Sequence, residues 1–171
     1  MSGQVLLLRG VNVGGHGKLP MAALRELAQG IGAGRARSWI QSGNLVVDRP
    51  IDPAALAGRI EAEFGFRPAV LAIGAEDWRR RLADRPLPGD PAALHLWFGD
   101  DLSLPDLAPL QALAAPDEEL AATPGVIWLR APRGIGRSKL AAAMERTTGR
   151  SLTARNWRTV TALTALLDDP G

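Results

Sequence analysis

The chain has 171 residues, enough for one domain or two small, tightly joined halves, and its 46% hydrophobic and 22% charged residues are those of an ordinary globular protein. Cysteine is absent, which removes disulfides, thiolate catalysis and cysteine-ligated metals together; with no signal peptide or membrane-spanning run visible, the expected place is the cytoplasm, with no membrane partner. A net charge of +2 gives weak support for nucleic acid, and the pI near 9.9 mostly reflects arginine's high pKa in a nearly balanced chain.

Val5 to Leu8 is a continuous apolar run, as expected of a central strand. Residues 9 to 18, Arg-Gly-Val-Asn-Val-Gly-Gly-His-Gly-Lys, then hold four glycines between two cations. Glycine lets the backbone reach positive φ and turn N–H groups inward, so this loop has the makings of an anion cradle. A helix is expected from Pro20 to about Gln29, with Met21, Leu24, Leu27 and Ala28 on one face. Its expected N-cap, Leu19, has no side-chain oxygen, so the first-turn donors stay available to a phosphate or carboxylate. The competing reading is a surface loop whose amides are satisfied by water. Known phosphate loops fit poorly: Asn12 and Leu19 stand where the P-loop needs Gly and Ser or Thr, and no G-x-G-x-x-G reading works.

Arg37 to Gln41 and Leu45 to Val47, separated by Ser42-Gly43-Asn44, read as a hairpin. Asp52 then caps a helix with Pro53 at its first position and a stripe of Leu56, Ile60 and Phe64, after which Val70 to Ile73 is a strand. Strand, helix, strand, strand, helix, strand is the ferredoxin-like split βαβ order, with both helices on one face of an antiparallel sheet. Ala75 to Leu82 is expected as a connecting helix, and residues 85–91, with three prolines, as a stiff linker. The order then recurs: strand Leu94 to Phe98, helix Leu104 to Leu113, hairpin Glu119 to Ala122 with Val126 to Arg130, helix Ser138 to Thr147, and strand Leu152 to Ala154. A last amphipathic helix, capped by Asn156, presents Trp157, Val160, Leu163 and Leu167. The expected fold is therefore α+β: two tandem ferredoxin-like repeats with antiparallel sheets, at residues 1–84 and 92–171, plus an extra C-terminal helix.

The stretches "LLLRGVNVGGHGKLPMAALREL", "WIQSGNLVV" and "TARNWRTVTAL" closely resemble the bacterial family called domain of unknown function 1697. The resemblance implies two ferredoxin-like repeats and no established activity. Its signature falls on Arg9, Gly10, Asn12, Gly14, Gly15, Lys18 and Pro20, on Gln41, Ser42, Gly43 and Asn44, and on Thr153, Arg155, Asn156, Trp157 and Thr159. His16 and Arg158 depart from the residues common there, which argues against loading catalysis onto either.

Only Lys18 and Lys139 are lysines among 20 basic residues, and each precedes or opens an expected helix behind a glycine-containing loop. The second such loop runs from Arg130 to Lys139; exposed arginine loops are commonly just solvated, and Ser138 is expected to cap the helix. Ser42 and Asn44 offer a hydroxyl and an amide beside the first loop, yet also form an ordinary turn. Arg155 lies outside the last helix and has the fork to clamp a phosphate or carboxylate, whereas Asn156 is most simply a cap. Trp97 and Trp128 lie on the strands that carry stacking aromatics in RNA-recognition modules, with burial between repeats as the plainer alternative. Two distant histidines and the lack of a G-x-S-x-G elbow leave no metal site and no hydrolase signature, and no cofactor is expected. Acidic pairs such as Asp168-Asp169 are expected as solvated surface.

The leading expectation is a phosphorylated or otherwise anionic ligand, nucleotide or nucleic acid, held by Arg9, Lys18 and Arg155 with Asn12, Ser42 and Asn44 as hydrogen-bonding partners. Gly14 and Gly15 would permit close approach, and Lys139 and Asn156 are further candidates. The alternatives are an enzyme on a small phosphorylated or carboxylated metabolite, which lacks an obvious general base, and a protein-interaction module using exposed sheet edges.

Overall fold

The computed structural model describes residues 3–171. The chain divides into two compact units, one of residues up to Arg79 together with Thr161–Gly171, the other Arg80–Val160.

In the first unit, β1 (Gln4–Arg9), α1 (Met21–Gly30), β2 (Ala36–Trp39), β3 (Asn44–Val47), α2 (Pro53–Phe64) and β4 (Ala69–Gly74) build an antiparallel sheet in the order β2-β3-β1-β4. Leu6 stands opposite Leu45 on one side and Ala72 on the other. With Leu8 and Val47 they make the sheet face that α1 and α2 cover through Leu24, Leu27, Leu56 and Ile60, in one core. Val5, Leu7 and Val46, which alternation places on the other face, are also fully buried. Asp52 caps α2 as expected by accepting from the Ala54 amide at 3.0 Å. The N-cap of α1 is Pro20, one residue later than Leu19, and still has no side-chain bond to the first turn.

The second unit repeats the plan with β5 (Leu94–Phe98), α4 (Ala108–Gln111), β6 (Glu119–Thr123), β7 (Val126–Arg130), α5 (Lys139–Ala142), α6 (Met144–Thr148) and β8 (Thr153–Asn156), in the order β6-β7-β5-β8. Two antiparallel four-stranded sheets with their helices make the fold α+β, as tandem ferredoxin-like units. Two elements differ from expectation. The helix over Leu104 to Leu113 contracts to the single turn of α4, because Pro105 and Pro109 withhold N–H donors and Asp106 ties the Ala108 amide from outside the turn at 3.0 Å. The helix over Ser138 to Thr147 is broken at Ala143 (φ −96°, ψ 0°) into α5 and α6, and no residue in Ala141-Ala142-Ala143 explains the break.

Helices α3 (Ala75–Leu82) and α7 (Trp157–Asp168) cross the division between units. The end of α7 groups with the first unit rather than with residues 92–160, and three arginines of that unit fasten it. Arg35 donates to the Asp169 carbonyl at 2.8 Å, Arg37 to the Leu166 carbonyl, and Arg79 to Asp168 Oδ1 at 2.6 Å. Guanidinium groups at a helix C-terminus satisfy its orphan carbonyls and complement the negative end of its dipole. The pair Asp168-Asp169 is thus ion-paired rather than merely solvated.

Trp97 stands opposite Ile127, whereas Trp128 stands opposite Leu96, so the two tryptophans lie on opposite faces of the second sheet. Both are buried, which rules out a stacking platform built from this pair. His95 shares the face of Trp97; its Nε2 is buried without a hydrogen-bond partner, and burial lowers its pKa from the ordinary 6.5. Between the depressed folded pKa and about 6.5 the unfolded chain binds more protons than the native one, so stability falls as pH falls through that window. Urea midpoints of the wild type should drop between pH 7.5 and pH 5, and His95→Gln should make that drop smaller; equal drops in both would show that His95 is not responsible.

Candidate functional site

The first loop is a small hairpin folded by its glycines. Val13 and His16 exchange both backbone hydrogen bonds, at 3.1 and 2.9 Å, around Gly14 (φ 56°) and Gly15 (φ 79°), the positive-φ pair of a type I′ turn. Below it the Asn12 amide donates to the Gly17 carbonyl at 2.8 Å. Gly17 is obligatory, since a Cβ there would lie 2.0 Å from the Gly10 carbonyl oxygen.

Asn12 joins this loop to its neighbours. Its Nδ2 donates to the carbonyls of Leu19 at 2.9 Å and Gln41 at 2.7 Å, and its Oδ1 accepts from the Leu19 amide at 2.9 Å. The β2–β3 turn is held from the other side as well. Gly43 accepts from the Leu8 amide at 2.9 Å and sits so close that a Cβ would come within 2.8 Å of Leu8 Cβ. Asn44 is fully buried and donates to the Trp39 carbonyl at 3.1 Å and Ser42 Oγ at 2.9 Å. The structure therefore brings Asn12, Gly14, Gly15, Lys18, Ser42 and Asn44 to one end of the first sheet, but it spends the side chains of Asn12 and Asn44 on holding that end together.

What faces outward is different in kind. The side chains of Lys18 and His16 are exposed and have no hydrogen bond or ion pair among the described residues, and Arg9, half-buried, ends β1. Val13, Trp39 and Ile40 are 61%, 42% and 53% exposed. Ile40 adopts φ 49°, a left-handed conformation that costs a β-branched residue about 1–3 kcal/mol and marks positions of functional interest. Glu26 is the one carboxylate between residues 3 and 47, so the loop and the β2–β3 turn themselves carry no negative side chain. Sequence reasoning missed the exposed apolar residues; a β-branched residue directly before Gln-Ser-Gly-Asn was the available signal.

The remaining candidates belong to the second unit. Arg155 stands opposite Leu96, on the face of Trp128, and donates to the Ala154 carbonyl at 2.8 Å. Asn156 Oδ1 accepts from the Thr159 amide at 2.8 Å, so it caps α7. Lys139 opens α5, which packs on the opposite, Trp97 side of that sheet through Leu140, and it lines a cavity of about 670 Å³. Lys139 and Arg155 are thus not partners in one site. Among the described residues no group of three or more His, Cys, Asp or Glu side chains is placed to hold a metal ion.

Asn12→Ala should cost about 1–3 kcal/mol by urea denaturation, because three hydrogen bonds go and a left-handed position loses its asparagine. Faster hydrogen exchange should concentrate at Leu19; an unchanged Leu19 amide would disprove the clasp. Gly17→Ala should be more damaging, with the loop forced out of register and the loss above about 2 kcal/mol.

A conserved bacterial protein, SP0830 from Streptococcus pneumoniae, has a similar structure, with a TM-score of 0.71 at 25% identity over 98% of this chain and 99% of that one. No curated protein matches the chain. The model of the family described as "Protein of unknown function (DUF1697)" matches residues 1–128, a span that holds the whole glycine loop, the Gln41–Asn44 turn and the second sheet as far as β7. The chain belongs to that family, DUF1697.

Proposed function

We propose that the protein binds a phosphate-bearing ligand, a nucleotide or nucleic acid, at the end of the first sheet formed by loop 9–18 and the β2–β3 turn. The observation that carries this reading is the pairing of a rigid, carboxylate-free loop with an outward Lys18. The amides of Gly14, Gly15 and Lys18 have no partner among the described residues, while Asn12 keeps the loop in shape without ligand. Donors fixed in advance lose little entropy on binding, which favours anion capture by backbone N–H groups. Trp39 adds an exposed aromatic surface beside them, suited to stacking a base. Binding is favoured over catalysis because neither the loop 9–18 nor the β2–β3 turn carries a carboxylate to serve as general base beside His16.

Calorimetric titration with nucleoside mono-, di- and triphosphates and a short single-stranded oligonucleotide tests the proposal. Wild type should bind at least one of them, and Lys18→Ala should weaken it about tenfold. Trp39 is the most exposed of the five tryptophans, so a base stacked on it should quench fluorescence, and Trp39→Phe should retain more affinity than Trp39→Ala. For the oligonucleotide, the logarithm of affinity should fall with the logarithm of salt by about 0.7 per phosphate contacted. An absence of binding across the whole panel would remove this function.

A further inference from the structure

The cavity in the second unit is a different kind of place. It lies between the loop following β7 and the stretch following α4, and its two sides have contrasting chemistry. Ala112, Leu113, Ala114 and Ala131 supply a wall of short apolar side chains, with Leu113 38% exposed at the edge and Ala131 buried in the core. Arg133, Arg137 and Lys139 bring three cations to the same space within seven residues.

The two carboxylates of the cavity are already occupied. Asp117 pairs with Arg133 Nε at 3.1 Å, and Glu118 accepts from the Ala115 amide at 2.8 Å, which closes the turn that forms the wall. The side chains of Arg137 and Lys139 have no hydrogen bond or ion pair among the described residues. Unpaired cations beside a small-residue wall fit an anion that carries a flat, weakly polar body, because the body displaces water from the alanines while the charge stays at the rim. A volume of about 670 Å³ is within the range of small-molecule sites. A guanidinium fork and an ammonium together match a dianionic phosphomonoester better than a carboxylate. Asp117 and Glu118 stand against a longer polyanion, since a chain of phosphates would meet their like charge.

We infer that this cavity is a second binding site, specific for a small phosphomonoester with a planar body, held by Arg137 and Lys139 at the phosphate and by Leu113 and the neighbouring alanines at the ring. It stands independently of the site at the first loop, whose residues it does not share.

The test is a residue-resolved NMR titration of the full chain with adenosine monophosphate, phenyl phosphate, benzoate and inorganic phosphate. Both organic phosphates should shift the amides of Ala131 and Gly134 saturably, and inorganic phosphate and benzoate should bind there at least tenfold more weakly. Phenyl phosphate equal to adenosine monophosphate would place recognition in ring and phosphate; a preference for the latter would identify the source as a nucleotide. Arg137→Ala with Lys139→Ala should cost at least tenfold at these amides. Leu113→Gln should cost affinity for the organic phosphates but not for inorganic phosphate. Lys18→Ala should leave all of this unchanged, so failure here is separate from failure at Gly14 and Gly15. No shift at Ala131 and Gly134 up to millimolar ligand, or an unaltered response in the double variant, would overturn the assignment.

Discussion

One carboxamide holds the loop end of the first unit in place. Asn12 bonds to the start of α1 through Leu19 and to the β2–β3 turn through Gln41, so a loop, a helix and a hairpin are tied by a single side chain that both donates and accepts. The arrangement requires Asn12 at φ 55°, a conformation asparagine tolerates better than most residues, and it requires glycine at the positions that cross Gly10 and Leu8. A loop with four glycines would otherwise sample many shapes. Fixed this way, it keeps one shape while the amides of Gly14, Gly15 and Lys18 have no partner among the described residues.

The clasp also changes which groups are open to a ligand. Asn12 and Asn44 are committed to the protein's own groups, which leaves main-chain amides, Lys18 and the outward Trp39 and Ile40 as what this end presents. Cations divide along similar lines. Arginines are largely structural: Arg35, Arg37 and Arg79 fasten the end of α7, and Arg81, buried, donates to the carbonyls of Gly99 at 2.8 Å and Gly125 at 3.0 Å. The ammonium groups of the two lysines, both exposed residues, have no protein partner among the described residues. A planar fork suits fixed carbonyls and carboxylates, whereas a compact ammonium on a flexible stem is easily left free.

The two units share a strand order but differ in the loops that follow it. In the first, the segment after β1 is a closed hairpin. In the second, the prolines that cut α4 to one turn leave an alanine-rich segment to line a cleft against the basic loop after β7. A repeated scaffold with divergent loops is how one architecture comes to offer two different surfaces.

Periodicity along the chain was enough to reveal the strand order, the Asp52 and Asn156 caps and the two hairpins, because each of these rests on residues a few positions apart. It also located the glycine loop and both lysines. It misjudged the α4 and α5–α6 helices, where proline placement and an unsignalled break outweigh apolar spacing, and it read Asn12 as a ligand group because nothing local shows that Leu19 and Gln41 lie within its reach. The cavity, the opposite faces of Trp97 and Trp128, and the return of the α7 end to the first unit depend on pairings between residues far apart in the chain. Local propensity is written in short windows of sequence, but whether a polar side chain meets a ligand or its own backbone is decided only when distant segments are packed together.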